Sequence, residues 1–191
     1  MKRRTFIAGL GSAAAWPVVA RAQQPSVRVI GFLSGQSSDD DYKNVTIPFL
    51  QGLKKTGYVE GQNVAVEYRF AENQADRLPL LATDLVRHRV AVIVVSGSPA
   101  ALAAKAASTT IPVIFTTGAD PVALGLVASL NRPGANVTGS ANLWTELAPK
   151  QLQLLRELIP NAGRFGVLWD PAVSYTSSTI ADLQAAAPIR D

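Results

Sequence analysis

The pattern of apolar and polar residues predicts alternating strands and helices from residue 27 onward. Val27 to Leu33 is apolar and β-branched, which predicts a first strand. Asn63 to Phe70 alternates apolar and polar residues, which predicts a strand near a sheet edge with one solvent-exposed face. Val90 to Val95 is continuously apolar, which predicts a central parallel strand buried on both faces. Two shorter strands are predicted at Pro112 to Phe115 and at Asn136 to Gly139.

Segments with helical spacing of apolar residues separate these strands. The predicted helices are residues 39–56, Asp76 to Arg89, Pro99 to Ala107 and Pro121 to Leu130. Pro48 predicts a kink or a late start in the first of them, because proline cannot donate a helical hydrogen bond. This alternation predicts an α/β fold, a Rossmann-like doubly wound parallel sheet with right-handed crossovers.

The alternation of short strands and helices ends after Gly139. Leu143 to Ile159 has the apolar spacing of a long amphipathic helix, and Arg164 to Trp169 predicts a new strand. We therefore expect a boundary between two lobes, placed between Gly139 and Thr145. The predicted organisation is a leader at residues 1–22, a first lobe at residues 23–140 and the start of a second lobe at residues 145–191.

The N-terminus has the features of a secretory signal. Lys2, Arg3 and Arg4 precede an apolar run from Phe6 to Val19, and Ala20-Arg21-Ala22 forms a cleavage site near Ala22. The paired arginines before Phe6 resemble a twin-arginine signal. A membrane anchor is the alternative, but this run has 14 residues and a spanning helix needs roughly 20. We expect export to the periplasm.

The charge of the chain does not indicate a nucleic-acid partner. The formal net charge is +4, but four of the 18 basic residues lie in the leader, which leaves 14 basic against 14 acidic residues. A nucleic-acid-binding protein is expected to keep a basic face after processing. The chain has no cysteine, which excludes disulfides and thiolate metal sites, and we expect neither a metal nor a cofactor.

Three loops that follow predicted strands carry small and hydroxyl-bearing residues: 34–38, 96–99 and 116–121. In an open α/β sheet, ligands bind beyond the carboxyl ends of the strands. The N-terminus of a helix offers free N–H groups and a positive dipole end, which suit a carboxylate. The alternative is purely structural: Ser98 and Asp120 would be N-caps, and the other hydroxyls would form turns.

Several stretches together resemble one family. They are the first strand VRVIGFL, the long stretch from Gly52 to Phe115, then DPVALGLVASLNRPGANVTG, and finally KQLQLLRELIPNAGRFGVLWDP. They are similar to the ABC-transporter substrate-binding proteins typified by the tryptophan/tyrosine-type binding proteins. The resemblance implies a type I periplasmic-binding fold with two Rossmann-like lobes and a ligand in the cleft between them, which closes by hinge motion.

The resemblance also implies the ligand, the partner and the site. The ligand would be an amino acid or similar small anion, and the partner would be a cognate ABC permease at the inner membrane. No catalytic role is implied. The first-lobe ligand residues implied are Ser34, Ser96, Gly97, Ser98, Thr116, Thr117 and Asp120.

The chain departs from the family pattern in its second lobe. It stops at Asp191, and Pro188 falls inside a segment that should continue as a helix. This predicts a truncated copy whose binding is impaired.

Two other functions stay open at this point. An exported α/β hydrolase would need a base beside a serine, and His88, the single histidine, lies at a predicted helix end. A ligand sensor without a transport role could use the same fold.

Overall fold

The computed structural model describes residues 27–169 and 176–187, so the predicted leader lies outside the described part. The strands are β1 (Arg28–Ser34), β2 (Val64–Phe70), β3 (Val92–Ser96), β4 (Val113–Thr117) and β5 (Val137–Ala141). The helices are α1 (Ser38–Asp41), α2 (Ile47–Lys55), α3 (Leu78–Arg87), α4 (Ser98–Ala107), α5 (Ala148–Leu158) and α6 (Thr176–Ala186).

The five strands form one parallel sheet with the order β2-β1-β3-β4-β5. The chain therefore steps from β1 to one side of the sheet, returns past β1 to β3 and continues to the other side. The doubly wound α/β fold is confirmed. The alternating strand β2 lies at the sheet edge and the apolar strand β3 lies at the centre, as their patterns predict. The predicted burial of β3 on both faces is wrong, because Val92 and Val94 on one face are half-buried.

The main core lies on one face of the sheet, beneath α3 and α4. Leu33, Ile93, Val113 and Val137 point to this face and are fully buried. Leu85 of α3 packs so closely on β1 that both of its methyl carbons lie 3.0 Å from the position a Cβ on Gly31 would take. A glycine in the middle of β1 therefore sets the distance between α3 and the sheet.

An aromatic cluster fills part of the opposite face. The ring of Phe32 lies 5.7 Å from Phe49 of α2, 5.7 Å from Tyr68 and 6.0 Å from Phe70, measured between centroids. These contacts place α2 over β1 and β2. Ile114 of β4 lies on the same face, and 45% of its surface is exposed.

The segment after β1 is interrupted where Pro48 predicts a break. α1 leads into a π-helical turn, Tyr42–Thr46, and α2 starts directly afterwards with Pro48 in its first turn. Proline is tolerated there because N–H groups of a first turn have no partner within the helix. The helical segment begins at Ser38 and not late, and the predicted interruption is the π-helical turn that precedes Pro48.

The predicted helix Pro121 to Leu130 is wrong. The segment is a series of turns, in which the N–H groups of Leu126 and Val127 both donate to the carbonyl of Pro121. Gly125 has a φ of +68°, which right-handed helix does not allow. Local bonds to a single carbonyl, from residues five and six positions further along the chain, replace the regular helical hydrogen bonds.

Two elements after β5 also differ from prediction. Residues 164–169 form no strand, and Leu168 is fully exposed, with a relative exposure of 101%. A strand needs a neighbour to satisfy its backbone, and in the ranges 27–169 and 176–187 none lies beside this segment. The long helix predicted from Leu143 begins as a 3-10 turn, Trp144–Leu147, and becomes α-helical only in α5.

Within the described ranges, the structure contains no helix with the length and apolarity required to cross a bilayer.

Candidate functional site

Hydroxyl side chains form a row across the carboxyl edge of the sheet. The register pairs Ser34 with Ser96, Ser96 with Thr116, and Thr116 with Ser140. Paired residues of parallel strands share a face, and neighbouring strands lie about 4.8 Å apart, so the four side chains stand side by side. We call these four residues the hydroxyl row.

The members of the hydroxyl row differ in accessibility. Ser34 is fully buried, and its Oγ accepts a hydrogen bond from the N–H of Gln36 at 3.1 Å. Ser96 is half-buried, whereas Thr116 and Ser140 are exposed. The accessible part of the row is therefore Ser96, Thr116 and Ser140, and Ser34 supports the turn behind it.

Sequence reasoning did not find Ser140. The residue closes the row only because β5 pairs with β4 in the observed register. The neighbouring Gly139 and Ala141 gave no chemical signal, and a register between distant segments cannot be obtained from one sequence.

Ser98 and Thr117 face away from the hydroxyl row. Both are 2% exposed, and their hydroxyl oxygens lie 2.5 Å apart in a buried hydrogen bond. Thr117 Oγ1 also accepts the N–H of Ala119 at 3.2 Å. The structure thus brings these two residues together beneath the loops, where they tie the start of α4 to the end of β4.

Gly97 shapes the approach to α4. Its φ of +90° lies in a region that favours glycine, and its N–H donates to the carbonyl of Thr116 at 2.9 Å. Gly97, not Ser98, occupies the N-cap position, and no described side chain caps the helix there. The N-cap interpretation of Ser98 is therefore wrong, and the first N–H groups of this ten-residue helix remain suited to an anion.

Asp120 lies half-buried at the start of the turns that follow β4. Its Oδ1 accepts the N–H of Val122 at 2.8 Å, and its carbonyl accepts the N–H of Leu124 at 3.0 Å. Because no helix follows, the carboxylate stabilises a turn and does not cap a helix. One of its two carboxylate oxygens, Oδ1, therefore makes a hydrogen bond within this turn.

Trp144 lies over the loop after β4. Its Cδ1 is 3.4 Å from the position that a Cβ on Gly118 would take. The residue is 63% exposed, although its side chain is large and mostly apolar. The site therefore combines polar hydroxyls with one exposed aromatic surface.

A separate cluster of charges lies at the opposite side of the sheet, on β2 and α3. Arg69 lies 3.0 Å from Glu67 and 2.7 Å from Asp84, and Nδ1 of His88 lies 2.6 Å from Glu67. The hydrogen bond from Arg69 lowers the pKa of Asp84, and the nearby positive charges add to the effect. Glu67 pairs with Gly31 and Arg69 pairs with Leu33, so both lie on the face of the sheet opposite to the hydroxyl row.

This cluster bears on the hydrolase alternative. A serine nucleophile needs a base within hydrogen-bond reach. The ring of His88 instead contacts the carboxylates of Glu67 and Asp84.

Over the described residues, no group of three or more His, Cys, Asp and Glu side chains is placed to hold a metal ion.

Residues 26–189 match the model of a family described as ABC transporter substrate binding protein. The chain belongs to this family. The match covers every strand of the sheet and all three loops at its carboxyl edge.

A curated relative is a tyrosine-binding protein of Clostridioides difficile, 34% identical over 122 residues, which are 64% of this chain and 35% of the relative. Among solved structures, a conserved domain protein from Vibrio cholerae has a TM-score of 0.72 at 28% identity. An ABC domain in complex with L-Trp from Streptococcus pneumonia has a TM-score of 0.70 at 26% identity. Each match covers 84% of this chain and 53% of the solved one.

This chain therefore spans about a third of the curated relative and about half of these solved chains. The likeness to them confirms the predicted fold class, a type I periplasmic-binding-protein-like α/β lobe.

Proposed function

We propose that the carboxyl edge of this sheet is the first-lobe wall of a binding site for an amino-acid-like ligand. The protein would be the solute-binding component of an ABC importer. The hydroxyl row carries the proposal, because it places accessible neutral donors and acceptors at the edge where open α/β sheets bind ligands.

The wall has the chemistry that an amino acid requires. The N-terminus of α4 suits a carboxylate, because it is the positive end of the helix dipole and no described side chain caps it. Gly97 has no side chain to hinder the approach of the ligand to that backbone. Ser96 and Thr116 lie beside it and can accept from an ammonium group or donate to a carboxylate.

The relatives support the class of ligand. One is named for binding tyrosine and another was solved with L-Trp, and both molecules are α-amino acids. We propose that residues 145–191 begin a second lobe that faces this wall, and that closure between the two lobes holds the ligand. We further propose a twin-arginine leader at residues 1–22, export to the periplasm, delivery of the ligand to a membrane permease, and no catalytic role.

Calorimetric titration of the chain from Gln23 to Asp191 with L-tyrosine, L-tryptophan and L-glutamate tests the proposal. We expect weak binding of at least one amino acid. Thr116→Val is then expected to weaken it about tenfold, since a hydrogen bond to a charged group contributes about 1.5–3 kcal/mol.

Thr138→Val is the matched control. Thr138 is also exposed and lies on the same face as Thr116, but it pairs with Ile114, further from the carboxyl edge. Its replacement should leave affinity unchanged. The proposal is wrong if the folded chain binds none of the three amino acids, or if the two variants weaken binding equally.

A further inference from the structure

The exposed indole of Trp144 is held in place by features of the backbone around it. Leu143, the preceding residue, has a φ of +53°, a left-handed conformation that bulky residues seldom adopt. Its carbonyl accepts the N–H of Glu146 at 3.1 Å, and the N–H of Asn142 donates to the carbonyl of Thr117 at 2.9 Å. The chain after β5 is thus turned back onto the loop that follows β4.

Gly118 allows the close approach of the indole. A Cβ on Gly118 would lie 3.4 Å from Cδ1 and 3.9 Å from Cβ of Trp144, so the indole lies directly against this glycine. Gly118 lies two positions after Thr116, an accessible member of the hydroxyl row. The indole therefore stands beside the polar wall.

Burial does not explain this arrangement, because Trp144 remains 63% exposed. Unusual backbone conformations persist where the surrounding structure fixes them, and they cluster at ligand sites. A flat apolar surface next to hydroxyl groups suits a ligand that is polar at one end and planar at the other.

We propose that Trp144 is the specificity-determining residue of this wall, and that its ring stacks on the aromatic ring of a bound amino acid. The inference rests on the proposed function, since it assigns the side-chain subsite of the same site. In this arrangement the carboxylate and ammonium of the ligand bind at α4 and the hydroxyl row, and the ring lies against the indole. Stacking between aromatic rings would favour an aromatic over a ringless amino acid by about 2- to 12-fold.

The experiment compares L-tyrosine with L-alanine, which has the same polar groups and no ring. In the chain from Gln23 to Asp191, Trp169→Phe leaves Trp144 as the single tryptophan, so its emission reports on this site. We expect L-tyrosine to shift that emission and L-alanine to leave it nearly unchanged. Trp144→Ala should weaken L-tyrosine binding, measured by calorimetry, by about 2- to 12-fold without changing L-alanine binding. Trp144→Phe should restore most of the loss.

Trp169→Ala is the matched control, because its side chain is also a half-exposed indole, at 52%, and lies outside the carboxyl edge. Trp169→Ala should change the affinity for neither L-tyrosine nor L-alanine. Equal weakening of both amino acids by Trp144→Ala, or no weakening of either, overturns the assignment of Trp144 and leaves the proposed function intact. Failure of the folded parent chain to bind either amino acid overturns the proposed function, and the assignment with it.

Discussion

The contact between α3 and β1 gives a quantitative test of the packing. Gly31 lies in β1 beneath Leu85, whose side chain is fully buried. A Cβ at residue 31 would lie 3.0 Å from both methyl carbons of Leu85 and 3.2 Å from Cγ2 of Val90. These distances are shorter than an ordinary contact between carbon atoms, about 3.5–4.0 Å, so the two residues share one volume.

Each single substitution should destabilise the protein for a different reason. Leu85→Ala removes three buried carbon groups, worth about 2.4 kcal/mol of transfer free energy, and leaves a cavity that brings the loss to about 3–5 kcal/mol. Gly31→Ala overpacks the same place and should cost about 1–3 kcal/mol. In the double variant the new methyl group occupies the cavity, so the combined loss should be about 2 kcal/mol smaller than the two losses added together.

Urea unfolding followed by circular dichroism measures these free energies. Leu80→Ala is the matched control, because Leu80 lies on the same helix and is 69% exposed, and its loss should stay below about 0.5 kcal/mol. Losses for Gly31→Ala and Leu85→Ala that add within about 0.5 kcal/mol would refute the shared volume.

Three further predictions follow from other contacts, each measured by the free energy of unfolding. Thr117→Val should cost about 1–3 kcal/mol and Ser98→Ala about 1 kcal/mol, because the threonine oxygen serves two buried hydrogen bonds and the serine oxygen one of them. The pKa of Asp84 is lowered in the folded chain below its ordinary value of 3.8, chiefly by the hydrogen bond from Arg69, so the unfolded chain binds the proton first. Stability should fall as pH drops below that value, and Asp84→Asn should reduce this slope. Gly139→Ala should cost about 1–3 kcal/mol or more, because its Cβ would overlap a backbone oxygen of β4.

Each of these has an outcome that contradicts it. If Thr117→Val and Ser98→Ala lowered the free energy of unfolding equally, the hydrogen bond from Ala119 to Thr117 would contribute nothing to stability. If the free energy of unfolding of Asp84→Asn fell with decreasing pH as steeply as that of the parent chain, the pH dependence would come from groups other than Asp84. Gly52→Ala is the control for Gly139→Ala: Gly52 lies in α2 with nothing within 4 Å of the added Cβ, so it should stabilise by about 0.5–1 kcal/mol.

The strands were predictable because their signals are local. β3 is continuously apolar and β2 alternates, and these patterns correctly placed one at the centre and the other at the edge. The turn segment after β4 has helical spacing, but bonds to the carbonyl of Pro121 and the conformation of Gly125 prevented a helix. Residues 164–169 have the pattern of a strand, but pairing with another strand decides whether one forms.

The candidate site likewise combines features set by local sequence patterns with features set by contacts between distant segments. The sequence by itself determined the strands of the sheet and the three hydroxyl-bearing loops that follow them, because the position of each strand along the chain and the composition of each loop follow from patterns within short segments. Only the tertiary structure decided which hydroxyls are accessible: Ser96 and Thr116 face the open side, whereas Ser98 and Thr117 bond to each other beneath it. The reason is physical, because facing depends on register and on packing between segments far apart in the chain, and Ser140 and Trp144 joined the site only through such contacts.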